Sequence, residues 1–226
     1  MNDILINPPD GLVSFIFSII ELVFIVILFL KSEKNRVNKL SVMLLMLLFG
    51  YQFMEYLICG VGLNSSLMVY LAFVDISFLP PLALYIILQY WDHKSKRYLL
   101  LFIPAIFFSV YYPLVIDQFV VTKCTVMYAA YNYPLGFLYG IFYYSPILVL
   151  IIFISIKLKT DKGDRRIYLS KVLLWGYLIA FIPGVFITRF IPGMLAAVES
   201  ILCKFAFLLA IFITYFVLKN KIKTDA

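Results

Sequence analysis

Charged residues are scarce in this chain of 226 residues. Asp, Glu, Lys and Arg make up 14% of it, against about 25% in an average soluble domain. Hydrophobic residues make up 64%, well above the usual value of about 45–50%. A soluble protein of this length would need more polar residues than this to cover the surface that it exposes to water. The composition therefore excludes an ordinary soluble domain and predicts an integral membrane protein.

Metal-binding residues are also few, with one His and three Cys. A structural zinc site normally takes four Cys or His ligands, and the single His93 lies in a short basic connector. We therefore expect no metal and no cofactor. The tail after the last apolar segment, "KNKIKTDA", is too short for a catalytic module, so we expect no enzymatic activity.

Seven segments are long and apolar enough to span a bilayer, which takes about 20 mostly apolar residues. None has the alternating pattern of an outer-membrane strand. The predicted fold is an all-α integral membrane protein, a single seven-helix bundle over residues 1–226. The approximate helix limits are 12–30, 40–61, 67–90, 98–116, 135–156, 169–190 and 195–218.

Basic residues alternate between the connectors. Sixteen of the 19 lie in the first, third and fifth connectors and in the tail, whereas the alternate connectors hold only Lys123 and Arg189. The positive-inside rule then places the N-terminus outside and the C-terminus in the cytoplasm of a multi-pass protein of the inner (plasma) membrane. Because the net charge of +7 comes from these short connectors, we expect no nucleic-acid partner.

The connector between helices four and five, "DQFVVTKCTVMYAAYNYPLG", is rich in Val, Thr and Tyr. These residues favour strands, and we predict a short exoplasmic β-hairpin that covers the bundle. Cys124 lies in this hairpin, and Cys59 ends the second helix on the same side. An oxidising compartment would permit a disulfide between them.

Six polar residues lie inside the apolar segments, where a charge costs about 2.5–3.5 kcal/mol or more. The topology places them near the outer half of the bundle. Lys204 and Glu199 are five residues apart and point in directions about 140° apart, so they do not pair with each other. Lys204 therefore needs a carboxylate from another helix. Asp75, Glu55 and Glu21 are the candidates, and we predict that Asp75 or Glu55 compensates it. We expect Glu199 to meet the outer interface or Arg189. The predicted buried polar cluster, which lines a ligand cavity, consists of Glu21, Gln52, Glu55, Asp75 and Lys204. A purely structural role, in which these residues only lock the helices together, is the alternative.

Prolines are expected to interrupt three of the helices. Pro80 and Pro81 follow Asp75, Pro146 lies in the fifth segment, and "IPG" at 182–184 lies in the sixth. Proline removes a helical hydrogen bond and kinks the helix, so these positions are candidate hinges.

The order of features over roughly residues 67–219 resembles the N-terminal seven-helix sensory region of some bacterial histidine kinases. The matching pieces are "FLPPLALYIILQY", "YLLLFIPAIFF", "PLGFLYGIFYY" and "RRIYLSKVLLWGYLIAFIPG". The resemblance implies a sensing module. The sequence has no phosphoacceptor His box and no ATP lid, so such a module would signal through a separate cytoplasmic protein.

Our leading interpretation is a membrane sensor or receptor-like module that binds a small molecule or responds to the lipid bilayer. A rhodopsin-like or proton-handling protein is an alternative, since Lys204 in the seventh helix and Asp75 in the third resemble a retinal lysine and its counter-ion. Against it, no Arg precedes Asp75, and Ser200 stands where those proteins usually carry Asp. A small-solute transporter is a further alternative, although no internal repeat supports it.

Overall fold

The structure, a computed structural model, describes residues 10–93, 95–161, 164–190 and 197–221. Within these ranges, seven helical segments are long and apolar enough to span a membrane, which confirms the predicted number. The helices are α1 Leu12–Lys31, α2 Arg36–Cys59, α3 Ser66–Ser77, α4 Leu79–Tyr90, α5 Ile103–Tyr111, α6 Gly136–Thr160, α7 Asp164–Phe190 and α8 Val198–Lys219. Residues 195 and 196, the predicted start of the last helix, lie outside the described residues.

The third and fourth segments are less regular than predicted. The third divides at Phe78 into α3 and α4, and a proline lies in the first turn of α4, where the missing N–H costs nothing. The fourth consists of α5 between two 3-10 helices, Lys96–Phe102 and Tyr112–Gln118. Each 3-10 helix therefore lengthens a short α-helix to the length of a full span.

The other two prolines do not interrupt their helices, which corrects the prediction. Pro146 lies inside α6 and Pro183 inside α7, and both helices continue past them. A proline removes one backbone hydrogen bond, and packing against neighbouring helices is enough to keep such a helix continuous.

Two helices begin earlier than their apolar segments. α2 starts at Arg36 rather than near residue 40, because the Asn35 side chain caps it by accepting a hydrogen bond from the Asn38 N–H at 2.8 Å. α7 starts at Asp164 rather than near residue 169. Hydropathy does not detect these first turns, because they are polar and extend beyond the apolar part of the helix.

One buried apolar cluster takes residues from all eight α-helices. The third segment, α3 with α4, is the most enclosed, and every residue of α4 is buried. α7 and α8 pack closely at Gly176, where an added Cβ would lie 2.8 Å from the Cβ of Phe212, and at Gly184, where it would meet Leu202. Large apolar side chains are nevertheless exposed on each of the seven segments, as expected of helices that face lipid.

The basic connectors meet at one end of the bundle, which we call the basic end. Asn38 at the start of α2 and Asn220 after α8 bond to each other, with the Asn220 Nδ2 donating to the Asn38 Oδ1 at 2.8 Å. Arg166 of α7 forms an ion pair with Asp92 at 2.9 Å. These contacts join the tail, the first connector, the third connector and the start of α7.

The opposite end is covered by a β-hairpin, and we call it the hairpin end. Strands β1 Val120–Cys124 and β2 Ala129–Asn132 pair antiparallel, with an irregular register between Val121 and Lys123. Gly11 adopts the left-handed conformation before α1, and its N–H donates to the Thr125 carbonyl in the hairpin turn at 3.1 Å. The hairpin therefore contacts the start of α1.

Candidate functional site

A single face of α1 enters the bundle. Its buried residues follow the helical spacing of three and four, with polar side chains in the half nearer the hairpin end and apolar ones beyond it. They are Ser14, Ser18, Glu21, Ile25 and Leu28. α1 therefore presents two hydroxyls and a carboxyl to the helices it packs on, which are α2 and α8.

The Lys204 side chain of α8 is directed into this polar region and is only 7% exposed. Its ammonium has three hydrogens and three acceptors. They are Glu55 Oε1 at 2.7 Å, Gln52 Oε1 at 2.8 Å and Ser14 Oγ at 2.9 Å. The three acceptors come from α1 and α2, so one ammonium joins three helices.

The acceptors are themselves held in place. The Ser14 hydroxyl donates to Glu55 Oε1 at 2.8 Å, and the Gln52 amide donates to the Cys203 carbonyl at 2.8 Å. Gln52 and Glu55 lie on one face of α2 because they are three residues apart. We call the set formed by Ser14, Gln52, Glu55 and Lys204 the lysine cluster.

Glu21 lies near the lysine cluster but is not bonded to it. It is fully buried, and neither carboxyl oxygen has a hydrogen-bond partner among the described residues. The Lys204 ammonium is close enough to interact with it electrostatically. Two carboxyl groups, those of Glu55 and Glu21, therefore interact with the ammonium of one lysine.

Asp75 is not part of the lysine cluster, although the sequence suggested it as a partner of Lys204 together with Glu55. Its carboxylate lies against α2 at Gly50, where an added Cβ would lie 3.0 Å from Asp75 Oδ1. Asp75 therefore packs on the backbone of α2, and the ammonium pairs with Glu55.

Glu199 is buried, which corrects the expectation that it meets the outer interface. It accepts a hydrogen bond from the Tyr133 hydroxyl, just after the hairpin. Burial, and then the Glu199 carboxylate, raise the pKa of Tyr133, so this hydroxyl remains the donor. The side chain of Arg189, the other expected partner, lies outside the described part of the chain.

The hairpin is fixed to the bundle at several points. Cys59 at the end of α2 and Cys124 at the end of β1 form a disulfide, with a Cα–Cα distance of 5.5 Å. The Ala129 N–H of β2 donates to the Ser200 hydroxyl of α8 at 3.0 Å. Tyr131 is buried, and burial raises the pKa of its hydroxyl well above the ordinary value. The hairpin therefore contacts α2 and α8, two of the three helices that carry the lysine cluster.

An apolar cavity of about 70 Å³ lies between the helices beside the lysine cluster. It is partly open at the surface of the bundle. Leu79, Pro80 and Ala83 line it from α4, directly after the break at Phe78. Cys203 and Ala206 line it from α8, on either side of Lys204 in the chain. Lys204 itself is not among the lining residues, because its amine is directed to α1 and α2.

Sequence reasoning missed two residues of the site. Ser14 was not predicted, although it lies seven residues before Glu21 and therefore shares its face in an otherwise apolar helix. Tyr133, the donor to Glu199, had no signal in the sequence, because a connector residue and a helix residue 66 positions apart meet only in the fold.

Comparison with models of protein families, with characterised proteins and with solved structures gives no match. The site is therefore interpreted from its own geometry. Among the residues that the structure describes, no group of three or more His, Cys, Asp or Glu side chains is arranged to hold a metal ion.

Proposed function

We propose that this protein is a multi-pass membrane sensor or receptor-like module. In this proposal a small apolar molecule or the end of an acyl chain enters the cavity beside the lysine cluster. The resulting movement of α4 and α8 is passed to a separate cytoplasmic protein at the basic end. The hairpin end faces the outside of the cell in this arrangement.

The observation that carries the proposal is the position of the cavity at the break of the third segment. Its walls include the first residues of α4 and four residues of α8. A ligand there would press on α4 next to a division between two helices, where less backbone bonding resists movement than inside a continuous helix. The other end of α4 leads directly to Trp91 and Asp92 at the basic end.

The orientation has two independent supports. Disulfides persist in oxidising compartments, and Cys59–Cys124 lies at the hairpin end. Basic residues favour the cytoplasmic side, and their connectors meet at the other end. Both support a hairpin end that faces the outside of the plasma membrane.

Trp91 offers a test of ligand binding in the cavity. It ends α4 and lies close to two cations, with the Lys157 ammonium 5.1 Å from the ring centroid and Arg166 at 5.7 Å. A Trp175→Phe variant leaves Trp91 as the sole tryptophan. We expect straight-chain alcohols from butanol to decanol to change the fluorescence emission of Trp91 until the change saturates. The affinity for the alcohol should rise with its chain length up to a limit set by the size of the cavity.

The matched variants are Ala83→Phe, which fills the cavity, and Val110→Phe, which adds a ring at an exposed position of α5. The saturable response should be lost in the first and kept in the second. A response that is linear in alcohol concentration and equal in all three proteins would show that alcohols act on the detergent or lipid, and the proposal would be wrong.

Proton handling is a second candidate, and Glu21 favours it. Its buried carboxyl group has no hydrogen-bond partner among the described residues and lies near a lysine that already has a carboxylate, which is typical of a site that binds and releases a proton. Proteoliposomes with a pH-sensitive dye inside would detect proton flux. Flux that Glu21→Gln abolishes would favour this function over sensing.

The geometry does not favour the retinal alternative. A lysine that forms a Schiff base acts as a free amine, whereas the Lys204 nitrogen is held by three acceptors, one of which is a carboxylate. Its amine also points away from the apolar cavity. Reconstitution with all-trans retinal is the direct test, and a visible absorbance band lost in Lys204→Ala would support a rhodopsin-like function.

A further inference from the structure

A second concave site lies at the basic end, on the outer side of α1 and α2. It is about 270 Å³ in volume, close to the lower limit of about 300–1,000 Å³ for ligand pockets. We call it the α1–α2 groove. The residues that line it are Phe29, Ser32, Glu33, Lys34, Lys39, Val42, Met43 and Met46.

Polar and apolar residues line different parts of the groove, one after the other along the helix axes. Its polar residues, among them Lys34 and Lys39, lie in the connector and the first turn of α2. Its apolar residues, among them Phe29, Met43 and Met46, lie towards the middle of the bundle and are partly exposed. A charged head with an apolar tail fits this order, whereas a soluble ligand would leave the apolar part uncovered.

The two lysines are available for an anion. Both are exposed, and neither side chain forms an ion pair, hydrogen bond or cation–π contact with a described residue. Arg36, which lies between them in the chain, is engaged elsewhere, because it donates to the Tyr85 hydroxyl at 2.7 Å. Lys34 and Lys39 are therefore the cations of this groove that have no competing partner within the described chain.

We propose that the α1–α2 groove binds one anionic phospholipid. The phosphate lies between Lys34 and Lys39, and an acyl chain follows Phe29, Met43 and Met46. Basic pockets between helices on the cytoplasmic side bind anionic headgroups in this way, and the flexible methionine side chains adapt to an acyl chain. Together with the two lysines, Glu33 gives the polar part of the groove a net charge of +1. This charge matches the single negative charge of a phosphodiester such as phosphatidylglycerol better than the higher charge of a phosphomonoester.

Native mass spectrometry of the detergent-solubilised protein tests this proposal. Phosphatidylglycerol and phosphatidylcholine with the same acyl chains are titrated separately. We expect one phosphatidylglycerol to be retained in preference to phosphatidylcholine. Lys34→Gln with Lys39→Gln should weaken its retention about thirtyfold, since a lysine near an anionic lipid contributes about a fivefold gain in affinity.

The matched control is Lys159→Gln with Lys171→Gln. It removes the same charge from the same end, at two exposed lysines that do not line the groove. This variant should retain phosphatidylglycerol as the unchanged protein does. An equal loss in both double variants would mean that diffuse charge attracts the lipid, and the groove would not be the site.

A third titration separates a lipid from a soluble phosphate. Glycerol 3-phosphate carries the phosphate without the acyl chains, and it should not displace the lipid at equal concentration. Displacement at equal concentration would assign the groove to a soluble phosphate compound and overturn the proposal. Equal retention of phosphatidylglycerol and phosphatidylcholine by the unchanged protein would also overturn it. Because the exchanged lysines are exposed and their side chains form no ion pair or hydrogen bond within the described residues, the thermal transition of the double variant should stay within a few degrees of the original.

Discussion

At the scale of single residues, the buried ammonium of Lys204 is the feature that most restricts the fold. A buried charge without partners is strongly destabilising, and here three hydrogens are matched by three acceptors on two other helices. The cost of placing the lysine at this depth is therefore offset only if α1, α2 and α8 are assembled. The lysine cluster makes the packing of these three helices mutually dependent.

This dependence predicts a specific thermodynamic coupling. Lys204→Met and Glu55→Gln should each lower the free energy of unfolding by about 3–5 kcal/mol, since each leaves a buried polar partner alone. Combined, they should lower it by clearly less than the sum. Lys204→Met with Asp75→Asn should be additive within about 0.5 kcal/mol, because Asp75 contacts Gly50 instead. Equilibrium denaturation in mixed micelles measures these values, and additivity in the Glu55 pair would show that the ion pair is absent.

Glu21 should behave in the opposite way to Glu55. Glu21→Leu removes a buried carboxyl without leaving a bonded partner behind, so stability should be unchanged or should rise by about 1–3 kcal/mol. Glu55→Leu in α2 should lower it, because Lys204 loses its carboxylate. Equilibrium denaturation in mixed micelles compares the two variants. An equal loss of unfolding free energy in both would contradict the conclusion that the two carboxyl groups have different environments.

At the scale of elements, α7 and α8 pack closely against each other at two glycines of α7. Glycine at position 176 allows this packing, because an added Cβ would lie 2.8 Å from the Phe212 Cβ and 3.0 Å from Leu209 Cδ1. Small residues permit such contacts between apolar helices, where packing rather than water exclusion drives association. α8 carries Lys204, so this contact also sets the position of the lysine cluster.

Gly176→Ala should therefore destabilise the protein, by about 1–3 kcal/mol, because the methyl group forces the helices apart. Gly140→Ala is the matched control, since the nearest atom to its added Cβ is Tyr144 Cε2 at an ordinary 3.6 Å. Both substitutions replace glycine by alanine, which favours a helix by about 1 kcal/mol. The difference between their effects on stability therefore gives the packing cost at Gly176. Thermal unfolding in one detergent compares them, and equal transition temperatures would argue against a tight α7–α8 contact.

The hairpin is the element whose position depends most on a covalent link. The disulfide closes a loop of 65 residues, for which the chain-entropy model gives about 4 kcal/mol of stabilisation. Cys59→Ala with Cys124→Ala should lower stability by up to that amount and increase hydrogen exchange in β1 and β2. A reducing agent should have the same effect on the original protein and none on the double variant. Unchanged exchange in both experiments would mean that the remaining hairpin contacts suffice.

At the scale of the whole molecule, the two ends differ in chemistry. The hairpin end has a disulfide, buried polar groups and a covering sheet, whereas the basic end has ion pairs, cation–π contacts and exposed lysines. Such asymmetry fits a protein inserted in one direction, with each end in a different compartment. A ligand cavity inside the bundle and a signalling surface at the basic end is the arrangement that the proposed sensor needs.

The orientation is tested with reporters fused at the two ends of the bundle. A reporter active only in the cytoplasm should work when fused after Ala226, and one active only outside the cytoplasm should work when inserted in the hairpin turn at Val126 and Met127. Both follow from the distribution of the basic residues. The reverse pattern would overturn the proposed topology and place the disulfide in a reducing compartment.

The sequence by itself determined the number of spanning helices and the polarity of the two ends. Both follow from local composition: about 20 apolar residues form a span wherever they occur, and basic residues mark connectors. It also indicated that Lys204 needs a carboxylate, because the cost of a buried charge depends on depth and not on the fold.

Which carboxylate meets Lys204 was decided only by the tertiary structure. Glu21, Glu55 and Asp75 lie at similar depths in the sequence-based topology, and the rotation of each helix about its axis selects among them. That rotation is set by contacts between helices, such as Gly50 against Asp75 and Gly176 against Phe212, which no spacing within one segment reveals. The third acceptor, Ser14, and the Tyr133–Glu199 bond depend in the same way on helices that are distant in the chain and adjacent in space. Local composition therefore fixes where a polar group lies in the membrane, and packing between helices fixes what it binds.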